Sequence, residues 1–557
     1  MNRLQLLDYA VFFFYFIVVA GYGIFIYRKK NKNTISKSHD YFLAEGSLTW
    51  WAIGASMIAS NISAEQFIGM SGSGFKMGLA IASYEWMSAF SLLIVAVLFI
   101  PVYLKNKIYT MPQFLNQRYN GTVSMIMAIF WLLLYVLVNL TSILYLGALA
   151  ISSISGIDLT ICIYGLSIFA IVITLGGMKV IGYTDVIQVF FLVLGGLVTT
   201  YLAVNMVSHF YGGEGIFSGL RIMGEKANDH FHMILKADNE SFIDLPGITV
   251  LVGGMWIANL NYWGCNQYIT QRALGADLKT ARNGLLFASF LKLLMPVIVV
   301  LPGIAAYVLY KDGNFQSEML QHGELNPDRA YPVLLNLLPV GLKGLSFAAL
   351  TAAVVASLAG KANSIATIFA LDIYKKKINP NASEQQQVNV GKMTVVIAMI
   401  LAVIIAPLLG IDKKGGFQYI QEYTGFVSPG IFAMFIMGFF WKKTSSNAAL
   451  FATVGGFALS ILFKFIPDFM DLSFLAQFGF AKANASGIYE IPFLDRMGFV
   501  FLICVISMYI ISMYDHKKGK TTKGLEIDAG MFKVHPGFLA GAIIVGGIIT
   551  ALYTIFW

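Results

Sequence analysis

At 557 residues, with 57% hydrophobic and only 12% charged side chains, the chain is too apolar for a soluble protein, where about a quarter of residues carry charge. A mean hydropathy of +0.72 assigns most of its length to lipid. The net charge of +9 sits in loops, where it sets orientation, so nucleic acid is not an expected partner. Three cysteines (Cys162, Cys265, Cys504), all in apolar stretches, offer neither a disulfide framework nor metal-ligand spacing.

Windows of roughly 20 apolar residues predict an all-α polytopic membrane protein with about fourteen spans. They fall near 8–27, 48–72, 78–104, 123–153, 159–176, 184–207, 247–271, 281–310, 342–373, 393–411, 416–441, 446–465, 494–513 and 536–556. The first run ends on basic residues and is read as a retained helix rather than a cleaved leader. Sorting alternate loops by Lys and Arg puts 23 of the 38 basic residues on one side, in "RKKNKNTISK", "KNKIYTMPQFLNQR", "QRALGADLKTAR", "YKKKINP", "WKKTSS" and "HKKGKTTKG". The positive-inside rule makes that side cytoplasmic and turns both termini outward.

Spans two and seven are interrupted at mid-depth: "SMIASNISAEQFIGMSGSG" and "VGGMWIANLNYWGCNQY" hold Gly, Asn and Ser where a plain helix would be apolar. Non-helical backbone survives at that depth only when buried or lining a cavity. Two broken helices at corresponding places mark the binding site of inverted-repeat transporters. Spans two and seven are five apart, so the chain divides into a leading helix (8–27), two five-helix repeats of opposite orientation (48–207 and 247–441) and three trailing helices (446–556).

The stretch "YFLAEGSLTWWAIGASMIASNISAEQFIGMSGSGFKMGLAIASYEWMSA" (41–89) resembles the sugar branch of the solute:sodium symporter family, nearest its bacterial sodium/galactose and sodium/glucose cotransporters. So do "GGMKVIGYTDVIQ" (176–188), "NYWGCNQYITQRALGA" (261–276), "FLKLLMPVIVVLPGIAAYV" (290–308) and "YIQEYTGFVSPGIFAMFIMGFFWKK" (419–443). The resemblance implies a LeuT-like five-plus-five fold, alternating access, a hexose substrate, sodium as coupling ion and a multi-pass place in a bacterial inner membrane. Lipid is then the surrounding partner, and a homodimer is an open assembly.

A hexose needs a hydrogen-bond partner for each hydroxyl and an aromatic surface for its ring face. The resemblance places Gln66, Glu85, Ser88, Asn259, Lys292 and Gln421 around the sugar. Tyr262 and Trp263 match its inner aromatic pair, and Asn61, Tyr84, Met70 and Phe417 its pocket edge and gate. A mid-membrane Glu or Lys is costly, which argues against accident. The competing readings are a structural Glu85–Lys292 ion pair, amides that satisfy backbone freed at a break, and ordinary core aromatics. Asn261 stands where these transporters usually carry a first tyrosine, which leaves the pocket edge altered.

By the same match, the sodium site takes carbonyls of Ala59, Ile62 and Ala353 and two adjacent hydroxyls. Here those two positions read Ala356 and Ser357, so one hydroxyl is missing. Ala359 and Gly360 stand where a second sodium would need hydroxyls. Lys361, inside "VASLAGKANS", follows one helical turn after Ser357 and interrupts the apolar run 345–371. Asp185 is the family's carboxylate in this region. A Lys361 ammonium paired with Asp185 would replace a sodium ion charge for charge; the bland alternative is a lysine that snorkels to the cytoplasm. Sodium coupling therefore competes with proton-coupled or cation-independent sugar transport and with a sugar sensor of the same fold. No zinc, nucleotide-loop or nucleophile-elbow motif supports an enzyme.

Overall fold

The computed structural model describes residues 4–28, 42, 48–321, 323–408, 416–484 and 486–557. The basic loop at 29–41, the quoted residues 43–47 and the end of the tenth expected span at 409–411 lie outside them. The chain is all-α apart from two short two-stranded ribbons, Leu320–Gln321 with Glu324–Leu325 and Lys482–Ala483 with Tyr489–Glu490. Each of the fourteen expected spans coincides with helix. Among the described residues ten helices are by themselves long and apolar enough to cross a membrane.

Helix Leu342–Thr367 continues without a break into a π-helical segment, Ile368–Ile378. It is central: 89% of the apolar window of Leu342–Ile378 is buried inside the bundle, against 17% for the last helix, Pro536–Ile555. The trailing helices therefore face lipid with most of their surface.

Span two ends its first half at Asn61, with Ile62 and Ser63 out of helix, and resumes as Glu65–Met70 and Ser71–Met77. The free N-terminus of the second half is capped from within, since the Gln66 amide oxygen accepts the Ser63 backbone N–H at 3.0 Å. Span seven is broken similarly, Gly254–Cys265 giving way to Gln267–Leu274 at an extended Asn266. A third break, which the sequence reading leaves as one span, falls between Gly416–Gly425 and Ser428–Phe440. Pro429 sits in the first turn of the second piece, where the N–H it lacks would have had no helical partner.

Glycines let these pieces approach. A Cβ on Gly303 would lie 2.1 Å from the Ser71 carbonyl oxygen, and one on Gly69 2.8 Å from the Phe417 nitrogen. Gly303→Ala is expected to lower the unfolding temperature by several degrees, since overpacking a filled contact costs about 1–3 kcal/mol. Gly165→Ala, where a Cβ meets nothing within 4 Å, is expected to leave it unchanged; thermal unfolding of purified protein followed by size exclusion checks both.

Candidate functional site

The break in span two faces the break in span seven across a small cavity of about 70 Å³. Five of the six expected sugar contacts line it: Gln66, Glu85, Ser88, Asn259 and Gln421. Asn61, Tyr84, Tyr262 and Phe417 line it too. Lys292, Trp263 and Met70 stand behind the wall, Lys292, Trp263 and Met70 all being fully buried.

Their polar atoms form one network. Lys292, on helix Leu278–Lys311, donates to the Glu85 carboxylate and to the Asn61 amide oxygen. The Asn61 amide nitrogen donates to the Tyr262 hydroxyl at 2.9 Å. Ser88 donates to the Asn259 amide oxygen at 2.5 Å, and Asn259 donates in turn to the Met255 carbonyl at 3.1 Å. Lys292 thus acts from the second row, holding Glu85 and Asn61, both of which line the cavity. Its ammonium also lies 5.3 Å from the centre of the Trp263 ring, which accounts for that tryptophan's place behind Tyr262. Tyr84 meets Phe417 edge-to-face at 5.0 Å, closing the cavity on the side of helix Gly416–Gly425. Asn261 lines the cavity and donates to the Ser428 hydroxyl at 3.1 Å. The residue that departs from the family pattern therefore sits where substrate would feel it.

The same cavity runs past Tyr262 to Glu65, Asn139, Asn266, Tyr268 and Lys361. Ser357, the one hydroxyl left at the expected sodium position, donates to the Ser60 carbonyl at 3.1 Å. Ala59, Ile62, Ala353 and Ala356 are buried around it. Lys361 donates to the Ser357 hydroxyl at 3.3 Å, with its ammonium 4.8 Å from the centre of the Tyr268 ring. It is 2% exposed and does not snorkel.

The expected Lys361–Asp185 pair does not form. Asp185 accepts a hydrogen bond from Ser56 at 2.6 Å and pairs with Arg272 at 3.9 Å. Arg272 also donates to Ser56 at 2.8 Å and to Ser60. A Cβ on Gly360 would lie 2.6 Å from the Arg272 guanidinium, so the bare backbone next to Lys361 admits the group that pairs with Asp185 instead. Glu65 is a carboxylate of the same cavity wall as Lys361. Sequence reasoning passed over both groups. Arg272 counts there as a cytoplasmic loop residue, yet it is 1% exposed. Glu65 is an acid inside the quoted break, one position before Gln66, and the rule that intramembrane acids are functional would have marked it.

A polar cavity between two interrupted spans, inside a bundle of apolar helices, is the architecture of a membrane transporter. Residues 41–456 match the sodium:solute symporter family, and the chain belongs to that family. It is 46% identical over its whole length to a sodium/glucose cotransporter of Vibrio parahaemolyticus, of which it covers 99%. It is 32% identical over 83% of its length to the sodium/myo-inositol cotransporter 2 of Homo sapiens, covering 70% of that protein. The fold matches a solved Na+-coupled sialic acid symporter with a TM-score of 0.75 at 23% identity, over 94% of this chain and all of that one.

Removing one member of the Glu85–Lys292 pair leaves a lone charge in a dry core, at a cost of about 3–5 kcal/mol. Lys292→Met is therefore expected to lower the unfolding temperature sharply. Glu85→Gln combined with Lys292→Met is expected to recover most of that loss. A double variant as unstable as the single one would show that the pair is not the unit holding this wall.

Proposed function

We propose that this protein carries a hexose such as galactose or glucose across a bacterial inner membrane by alternating access, coupled to inward movement of sodium. The observation that supports the reading most directly is the convergence of Gln66, Glu85, Ser88, Asn259 and Gln421 on one cavity. Such a wall rejects apolar or deoxygenated solutes, because each missing hydroxyl leaves a buried group unpaired. Tyr262 is the aromatic platform and gate between the sugar and the Lys361 side. The two halves are the repeats 48–207 and 247–441, with the basic loops cytoplasmic and both termini outside.

Glu85→Gln, Asn259→Ala and Gln421→Ala are each expected to weaken hexose binding about tenfold or more, since an unpaired buried partner costs about 1–3 kcal/mol. Tyr262→Phe keeps the ring face and is expected to transport, while Tyr262→Ala is expected to fail. Wild-type uptake into proteoliposomes by all four single polar and alanine variants would remove this site from consideration.

A second reading, in which the Lys361 ammonium replaces a bound sodium ion and transport is proton-coupled or cation-independent, is favoured by one contact. The Lys361 ammonium already holds the Ser357 hydroxyl at 3.3 Å. At an effective dielectric of about 20, two unit charges about 5 Å apart oppose each other by about 3 kcal/mol, more than a hundredfold in affinity. Uptake measured with a sodium gradient, a proton gradient or neither separates the readings. Under the sodium reading, uptake collapses without sodium; under the second it persists, and Lys361→Ala with Ala356→Ser introduces a sodium requirement.

A further inference from the structure

One edge of the central cavity lies where span seven meets the third break. On helix Gly254–Cys265, Ala258, Asn259, Asn261 and Tyr262 all line the cavity. At about 3.6 residues per turn they share one face, with Asn261 at the edge farthest from Asn259. Thr424 and Ser428, on either side of the break between Gly416–Gly425 and Ser428–Phe440, line the cavity as well.

The hydrogen bonds at this edge fix which way the Asn261 amide points. The Ser428 hydroxyl donates to the Thr424 carbonyl at 2.8 Å, so toward Asn261 it can only accept. The Asn261 amide nitrogen supplies that bond at 3.1 Å. The amide oxygen is therefore turned away from Ser428, and among the described residues it has no hydrogen-bond partner. The Thr424 hydroxyl is spent too, since it donates to the Ile420 carbonyl at 2.8 Å. Asn261 is only 4% exposed, and an acceptor left unpaired at such depth is costly and rare in native proteins. What this oxygen lacks is a donor, and the residue that carries it lines the cavity. A sugar hydroxyl brings the missing proton.

We propose that Asn261 is a further substrate contact and sets specificity at this end of the cavity, its amide oxygen accepting the proton of one sugar hydroxyl. The proposal rests on the reading of the central cavity as a hexose site. It narrows the substrate to a sugar that keeps a free hydroxyl at the end beside the third break. Because the contact is an acceptor, a substituent that cannot donate is refused there even when it is as small as a hydroxyl. The tyrosine usual at this position in the sugar branch carries a hydroxyl that both donates and accepts, and it imposes no such demand.

Binding of radiolabelled galactose and glucose to purified full-length protein, competed by their monodeoxy and matching deoxyfluoro analogues, tests this. Fluorine keeps the size of a hydroxyl but has no proton to give. In the wild type, removal of one particular hydroxyl is expected to weaken binding about tenfold or more, and fluorine in its place is expected to do the same. Asn261→Leu, which keeps the side-chain bulk and removes the amide, is expected to bind the hexose about tenfold more weakly. It is also expected to lose discrimination at that one position and keep it at the others. Asn261→Tyr is expected to lose the same discrimination, and it answers the question if thermal unfolding shows the leucine variant to be misfolded. A common factor of weakening for the hexose and every analogue, or no weakening at all, makes Asn261 mere wall and overturns the proposal. Hexose binding that is then still lost in Glu85→Gln leaves the reading of the cavity standing. A wild type that binds neither galactose nor glucose overturns both.

Discussion

Two buried cations at the centre of this bundle are answered by buried anions, and the seam between its parts is built on those pairs. Lys292 meets Glu85, Arg272 meets Asp185, and Lys361 shares the cavity wall with Glu65. Each ion left alone in so dry a place would cost several kcal/mol. In every case one partner lies before residue 208 and the other after residue 246. The charges therefore do more than neutralise one another. They tie the stretch before residue 208 to the stretch after residue 246, and neither ion pair closes within one of those stretches.

That arrangement depends on backbones coming closer than side chains normally allow. Gly69 admits the Phe417 backbone, Gly303 the Ser71 carbonyl and Gly54 the Gly284 carbonyl, where an added Cβ would sit at 2.6–2.8 Å or less. These contacts too cross between the halves. Steric closeness and charge pairing thus act on the same seam. The seam is also where the helices break, because an interrupted helix frees N–H and carbonyl groups that only a polar interior can satisfy. Gln66 illustrates the economy: its amide oxygen caps the resumed half of span two, and the same side chain lines the cavity.

Much of this was legible in the sequence. Long apolar windows located the spans, since hydropathy over a bilayer's thickness leaves little room for error. Gly, Asn and Ser inside two of them located the breaks. A glutamate and a lysine at mid-depth marked the ion pair, since neither survives there without a partner. What failed to show was pairing across the fold. Arg272 reads as a loop residue because it follows a break and precedes a basic stretch; only the packing of helix Gln267–Leu274 beneath Ser56 and Ser60 reveals it as buried. Asp185 was then given the wrong cation, since helical spacing places Lys361 on a face but cannot tell which neighbour reaches it first. The third break, after Gly425, is announced by Pro429, yet proline inside a membrane helix is common enough that the residue alone does not decide between a kink and a stop.

The cavity also joins two places that the sequence treats separately. The Lys361 ammonium rests on the face of Tyr268, whose ring meets Tyr262 edge-to-face at 5.7 Å. Tyr262 accepts from Asn61, and Asn61 shares the Lys292 ammonium with Glu85. Every step in that series is a direct contact between buried or half-buried groups, and packed interiors transmit displacement because they contain little free space. A cation drawn away from Ser357 removes the charge that favours the Tyr268 face. That ring meets Tyr262, which bonds to the break in span two through Asn61. The position of the Lys361 charge and the position of Tyr262 are in this way joined by one stack of rings.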